Sequence, residues 1–155
     1  MVVKIISGGQ TGADRAALDF AIQYNIPYGG WVPKGRKSED GSIPEIYQLQ
    51  EMPTSDYSKR TEQNILDSDG TLIVSHGILT GGSALTEFFA DQHKKPCIHV
   101  DLDKQSIKDA AITISSWIEE NNIEVLNVAG PRAGKDPEIY RATLTLLETL
   151  FEKTI

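Results

Sequence analysis

The chain has one cysteine, Cys97, in 155 residues. No intramolecular disulfide can form, and a reducing, cytoplasmic setting is expected. An excess of basic residues is also lacking: 22 Asp and Glu oppose 15 Lys and Arg, for a net charge of −7. That balance argues against general nucleic-acid binding, which favours basic surfaces. No apolar run approaches the roughly 20 residues of a membrane span. Ser7-Gly8-Gly9 interrupts the first apolar stretch too early for a signal peptide, so none is expected. His76, His93, His99 and Cys97 lack zinc-ligand spacing, and no metal site is expected. The fingerprint G-x-G-x-x-G is missing, as is an acidic residue after the second strand to read a dinucleotide ribose. The phosphate-loop motif ending in Gly-Lys-Ser/Thr is missing too, which counts against an ATPase. There is no internal repeat, and the length suits one domain over residues 1–155 with a full core.

What is present centres on one stretch. An apolar run, Met1 to Ile6, stops at Ser7-Gly8-Gly9-Gln10-Thr11-Gly12, and a helical pattern follows through Ala13, Ala17, Phe20, Ala21 and Tyr24. Thr11 and Asp14 have the spacing of a capping box. The segment reads as strand, glycine turn, helix. Ser7 to Arg15 is therefore expected to form an anion cradle, because the first N–H groups of a helix lack internal partners and its dipole favours phosphate.

The alternation continues along the chain. Strands are expected at Val2–Ile6, Tyr28–Val32, Tyr47–Met52, Thr71–Ser75, Cys97–Val100 and Glu124–Val128. Helices are expected over Gly12–Tyr24, over Asp56–Leu66, after Leu79-Thr80-Gly81-Gly82-Ser83, after Ser106, and after Asp136-Pro137. Ala84, Leu85, Phe88 and Phe89 share one face of the third helix, and Ser106 with Asp109 forms another capping box. Pro33 to Pro44 reads as a long polar loop carrying Lys34, Arg36 and Lys37. The lack of alternation in Thr71–Ser75 predicts a strand buried on both faces.

This pattern predicts an α/β, three-layer Rossmann-like fold, with a mostly parallel sheet and helices on both faces. Right-handed crossovers would place every strand's C-terminal end on one edge, where ligands of open α/β sheets bind. Three glycine loops follow strands directly: Ser7–Gly12, Leu79–Ser83 and Ala129–Gly134. With an order beginning 3-2-1-4, the first and second would flank the reversal. Gly8, Gly9, Gln10, Thr11, Gly12, Gly81, Gly82 and Ser83 are candidate phosphate contacts. Arg15 either faces the ligand or pairs with Asp19 one turn on. Lys34 and Arg36 are placed to close over an anion, Arg132 to add a forked donor, and His76 to meet the ligand at the end of its strand. Glu87 is the candidate acid/base group.

Several segments together carry a resemblance: Ser7-Gly8-Gly9-Gln10-Thr11-Gly12-Ala13-Asp14-Arg15, Gly29-Gly30-Trp31-Val32-Pro33-Lys34-Gly35-Arg36, Arg60-Thr61-Glu62-Gln63-Asn64, Asp67-Ser68-Asp69-Gly70-Thr71-Leu72-Ile73 and Leu79-Thr80-Gly81-Gly82. Over residues 1 to about 135 they resemble the molybdenum carrier family, the circularly permuted YpsA-like members of the SLOG superfamily. The resemblance implies a Rossmann-like fold and a bound nucleotide, nucleotide derivative or molybdopterin-type cofactor. It also implies a homo-oligomer, dimer or tetramer. A wider similarity is to the lonely-guy phosphoribohydrolases, whose glycine pair precedes a catalytic glutamate. In Gly81-Gly82-Ser83-Ala84-Leu85-Thr86-Glu87 the glutamate falls one residue early, and Ala84 stands where a glycine is expected.

Two functions follow as expectations. One is a carrier for a phosphate-bearing small molecule, with molybdenum cofactor the named candidate. The other is a nucleotide N-glycosidase using Glu87. A purely structural role leaves all three glycine loops unexplained.

Overall fold

Apolar runs alternating with helical stripes yield a five-stranded sheet covered on both faces. The computed structural model describes residues 1–152. In chain order the strands are β1 Lys4–Ile6, β2 Tyr28–Gly29, β3 Trp31–Val32, β4 Lys37–Ser38, β5 Gly41–Ser42, β6 Gln50–Glu51, β7 Gly70–Ser75, β8 Cys97–Asp101 and β9 Val125–Ala129. The α-helices are α1 Ala13–Gln23, α2 Tyr57–Leu66, α3 Gly81–Gln92, α4 Ile107–Glu120 and α5 Ile139–Leu150.

The main sheet has the order β2-β1-β9-β7-β8, with every pairing parallel. This corrects the expected 3-2-1-4 start. The last strand inserts between β1 and β7, so the third glycine loop, not the second, is the immediate neighbour of the first. Parallel pairing keeps all three loops on the C-terminal edge.

The two faces differ in chemistry because side chains alternate along each strand. Ile5, Leu72, Val74, Val100, Leu126 and Val128 face α1, α4 and α5 and share one apolar core with Phe20, Ile114 and Leu146. The opposite face, under α2 and α3, presents Thr71, Ser75 and Asn127, all buried. Thr71 accepts a hydrogen bond from Asn127 at 3.1 Å. The strand Gly70–Ser75 is buried throughout, as its composition predicts.

Local differences from the sequence reading have physical reasons. The expected strand Tyr28–Val32 breaks at Gly30: β2 stays in the main sheet, and β3 leaves to pair with β6. Of Tyr47–Met52 only Gln50–Glu51 is paired. The polar loop 33–44 is a 3-10 turn followed by the β4–β5 hairpin. On α3 the buried residues are Ser83, Thr86 and Ala90, while Phe88 is 58% exposed. Small and hydroxyl side chains suit the polar sheet face beneath, so the apolar stripe turns outward. Ser106 does cap α4, accepting from Asp109 N at 3.1 Å. Helix α5 starts at Ile139, because Asp136 caps the preceding turn by accepting from Glu138 N at 3.0 Å.

Candidate functional site

The C-terminal edge of the sheet opens into a cavity of about 630 Å³, bounded by α2 and α3 and by the loops after β1, β7 and β9. Of the expected site residues, Gly8, Gln10, His76, Gly82, Ser83 and Arg132 line it.

The first loop does not present an open cradle. Gly9 N donates to Ser7 Oγ at 3.3 Å, Gln10 N to Asp14 Oδ2 at 3.2 Å and Thr11 N to Gln10 Oε1 at 3.0 Å. The start of α1 is stopped by the third loop: Ala13 N donates to the Pro131 carbonyl at 3.3 Å. Gly12 makes this approach possible. Its φ is +85°, and a Cβ there would stand 2.4 Å from Pro131 O. The expected Thr11–Asp14 box is replaced accordingly. Asp14 closes the glycine turn, and Thr11 Oγ1 donates to Glu39 and accepts from Ala133 N. Gly9, Thr11 and Gly12 thus tie loops together outside the cavity lining.

Three expected basic contacts also lie elsewhere. Arg15 does not pair with Asp19 and is absent from the cavity lining. Its guanidinium holds Asp40 at 2.8 Å and the Gly9 carbonyl at 3.0 Å. Asp19 instead accepts from Tyr47 and Tyr140, each at 2.5 Å. Arg36 donates to the carbonyls of Ile43, Pro44 and Tyr47, which shapes its own loop. Lys34 is exposed, away from the cavity lining.

The start of α3 is different in kind. Thr80 at its N-cap makes no side-chain cap bond. The N–H groups of Gly81 and Gly82 donate to no group among the described residues. Lys135, from the third loop, points its ammonium at this helix end: Nζ lies 2.6 Å from where a Cβ of Gly81 would be. No carboxylate among the described residues pairs with Lys135. Two positive features, a helix N-terminus and an ammonium, therefore stand together at one end of the cavity, and an anion beside them would be favoured by both.

Around this space stand two ion pairs. Arg132 holds Glu39 at 3.0 Å, and Glu39 also accepts from Gly134 N at 2.9 Å. His76 Nδ1 lies 2.6 Å from Asp136 Oδ2. The hydrogen bond to Asp136 lifts the His76 imidazole above its ordinary pKa.

The sequence profile of the circularly permuted YpsA SLOG family matches residues 5–151. The chain belongs to that family. It is also similar to a solved structure described as "putative molybdenum carrier protein" from Syntrophus aciditrophicus SB. The identity is 75% over 96% of this chain and 94% of the other, with a TM-score of 0.96. No functionally curated protein matches the chain.

In this SLOG domain the residue that sequence reasoning left without a role is Arg60. It is 7% exposed, yet it lines the cavity from α2. Its Nη1 donates to the Gly8 carbonyl and lies 4.0 Å from Asp14 Oδ2. Burial pushes the Asp14 carboxyl up to about 6, against the opposing pull of Arg60. An arginine on a helix beside an aromatic one turn earlier, Tyr57, was the available signal. Lys135 was signalled only by its place after Gly134 in the third glycine loop.

Glu87 lies outside this cavity. It is exposed on α3 and lines a separate groove of about 500 Å³ with His99 and Asp101. Burial pushes the thiol of the half-buried Cys97 nearby up to about 12, which disfavours its thiolate.

Proposed function

We propose that the chain binds a phosphate-bearing small molecule in this cavity and acts as a carrier. The observation that supports this is the unpaired Lys135 ammonium beside Gly81 at the α3 N-terminus, where the Gly81 and Gly82 N–H groups have no acceptor among the described residues. A phosphate seated there would accept hydrogen bonds from both N–H groups and from Lys135, and the helix dipole would favour its charge. Arg132 stands next to this seat with one side of its guanidinium on Glu39. The 630 Å³ cavity falls within the range of small-molecule sites and admits a nucleotide-sized ligand.

Two ligand classes fit: a nucleotide derivative, or the molybdenum cofactor suggested by the name of the 75% identical relative. Both offer a phosphate. Among the described residues, no three His, Cys, Asp or Glu side chains are grouped to hold a metal ion. The cofactor would therefore be held as cargo, through its phosphate and ring rather than by ligation of its metal.

The carrier reading is favoured over hydrolysis because Glu87 faces another groove, away from the proposed phosphate seat. The outward-facing Phe88, at 58% exposure, and Ile78, at 80%, support self-association of the chain as a homo-oligomer.

A thermal-shift panel of nucleoside mono-, di- and triphosphates, ADP-ribose, molybdate and molybdopterin tests the reading. A ligand at a hundred times its Kd adds about 2.7 kcal/mol, which raises Tm by roughly 5–10 °C in a chain of this size. A shift in the native chain that is lost in Lys135→Met supports the phosphate seat. An equal shift in both proteins overturns it. Release of free base during incubation with a nucleoside monophosphate would favour the N-glycosidase instead.

A further inference from the structure

We infer that the cavity holds a second anion subsite, built on the Arg60 guanidinium with Asp14 as its exchangeable counter-ion, so that the ligand carries two separate anionic groups. This rests on the reading that the cavity is the ligand site, and it extends that reading from one phosphate to two anions.

A guanidinium has five N–H donors in a rigid fork. On Arg60, 7% exposed, only Nη1 has an acceptor among the described residues, the Gly8 carbonyl. Nε and Nη2 donate to no group among the described residues. The Asp14 carboxylate, at 4.0 Å, is beyond hydrogen-bond distance. The Tyr57 ring supports one face, 5.4 Å from Cζ. The Nε and Nη2 donors open onto the cavity that Arg60 lines, where an oxyanion can accept from both.

Asp14 is built to yield. Among the described residues its Oδ2 accepts only from Gln10 N, and its Oδ1 accepts nothing. The charged groups around it are few. Arg60 faces it from α2, and Gln10 N–H from the first loop. Arg15, on its own helix, is bound to Asp40. The pairs His76–Asp136 and Arg132–Glu39 stand elsewhere in the cavity wall, each with its charge answered internally. Burial already holds the Asp14 proton to about pH 6. An oxyanion on Arg60 removes the partner that keeps Asp14 ionised and adds a like charge beside it. Asp14 then takes one proton from solvent and keeps it, and its carboxylic O–H donates a hydrogen bond to the incoming anion. No covalent bond changes.

The ligand class follows. One anionic group sits on Lys135 and the α3 N-terminus, and the other on Arg60 and protonated Asp14. A nucleoside diphosphate or a phosphomonoester with a second phosphate or carboxylate has this character, and a ligand with a single anionic group leaves one subsite unfilled.

Sulfate tests the inference, because it stays a dianion between about pH 5.5 and 7.5 and its own titration does not enter. Isothermal titration calorimetry in two buffers of different ionisation heat measures proton uptake directly. Lys135→Met is expected to retain one class of sulfate site, with affinity roughly tenfold higher at the lower pH and close to one proton taken up per sulfate near neutral pH. Asp14→Asn is expected to bind sulfate with no proton uptake at any pH. This variant keeps the test open if Arg60→Met fails to fold.

Loss of all sulfate binding in Lys135→Met overturns the second subsite while leaving the phosphate seat standing. Proton uptake that persists in Asp14→Asn overturns it as well. Proton-linked binding that is wholly insensitive to Lys135→Met supports the subsite and removes the Lys135 seat. Absence of sulfate binding to the native chain overturns both.

Discussion

The ammonium of Lys135 occupies the space in front of Gly81, 2.6 Å from where a side chain on that glycine would begin. A lysine at a helix N-terminus opposes the dipole, at a cost of about 0.3–1 kcal/mol in exposed settings. Lys135→Met is therefore expected to leave Tm unchanged or slightly raised. The same variant is expected to weaken binding of a nucleoside monophosphate by about tenfold to a hundredfold, since a hydrogen bond to a charged group contributes roughly 1.5–3 kcal/mol. Thermal unfolding and calorimetric titration on one preparation check both halves. A variant that loses stability and affinity together would show Lys135 to be structural.

Gly82 and Gly9 separate in the same way. A Cβ on Gly82 meets nothing within 4 Å, and the residue sits in the first turn of α3 on the cavity wall. Gly82→Ala is expected to hold or raise stability by up to about 1 kcal/mol, because alanine restricts the unfolded chain. Larger side chains at this position, such as valine, should block the ligand. Gly9 has φ +74° and lies against Ile43, Val32 and Leu49. Gly9→Ala should cost about 1–2 kcal/mol through its left-handed backbone, with ligand affinity little changed. Urea unfolding and ligand titration of the two variants distinguish the roles; equal loss of affinity in both would place Gly9 in the site after all.

The His76–Asp136 pair sets a pH dependence of definite sign. The folded pKa of His76 is raised, mainly by its hydrogen bond to Asp136. The stability it contributes is thus fully present below the unfolded value near 6.5 and is lost as pH rises through the folded value. His76→Asn should destabilise the chain by on the order of 1 kcal/mol at about pH 5.5, and by much less at about pH 8.5. Chemical unfolding at both pH values reads the difference. A penalty that grows with pH would contradict the assigned charge state.

The order of elements was legible because the chain writes it in apolar runs and glycine breaks, and the all-buried strand Thr71–Ser75 needed no partner to be recognised. Sheet order was not legible. The insertion of β9 between β1 and β7 depends on long-range pairing such as Lys4 with Val125, which no local pattern records. The first glycine loop looked like a cradle because its sequence is indistinguishable from one. Only the fold reveals that the Pro131 carbonyl already answers the start of α1.

The basic residues of the first loops find partners within the chain for a related reason. Arg36 and Arg15 carry the charge a phosphate needs, but neighbouring carbonyls and Asp40 reach them first. Arg60 and Lys135 were the harder ones to see. One is a cation in the middle of a helix, and the other follows a glycine in a loop far along the chain. Their convergence on one cavity is a property of the tertiary structure.

The hairpin turn Glu39-Asp40 joins the loop 33–44 to the rest of the molecule at two points. Asp40 grips Arg15 on α1, while Glu39 accepts from Thr11, Arg132 and Gly134. The Arg15 guanidinium and the Ser38 hydroxyl hold the Asp40 carboxyl well below the ordinary range, so this tie persists at neutral pH. It is present above the unfolded carboxylate value and is lost only as pH falls far below it. Trypsin reads the state of this hairpin, since Lys34, Arg36 and Lys37 lie within it or just before it. Glu39→Ala and Asp40→Ala should each speed cleavage there several-fold while leaving the global unfolding midpoint nearly unchanged, because local opening draws on local contacts rather than on the whole core. Glu39→Ala should also free Arg132 toward the cavity and thereby tighten nucleotide binding. Slower cleavage, or weaker binding in Glu39→Ala, would assign Glu39 to the ligand rather than to the tie that holds the hairpin down.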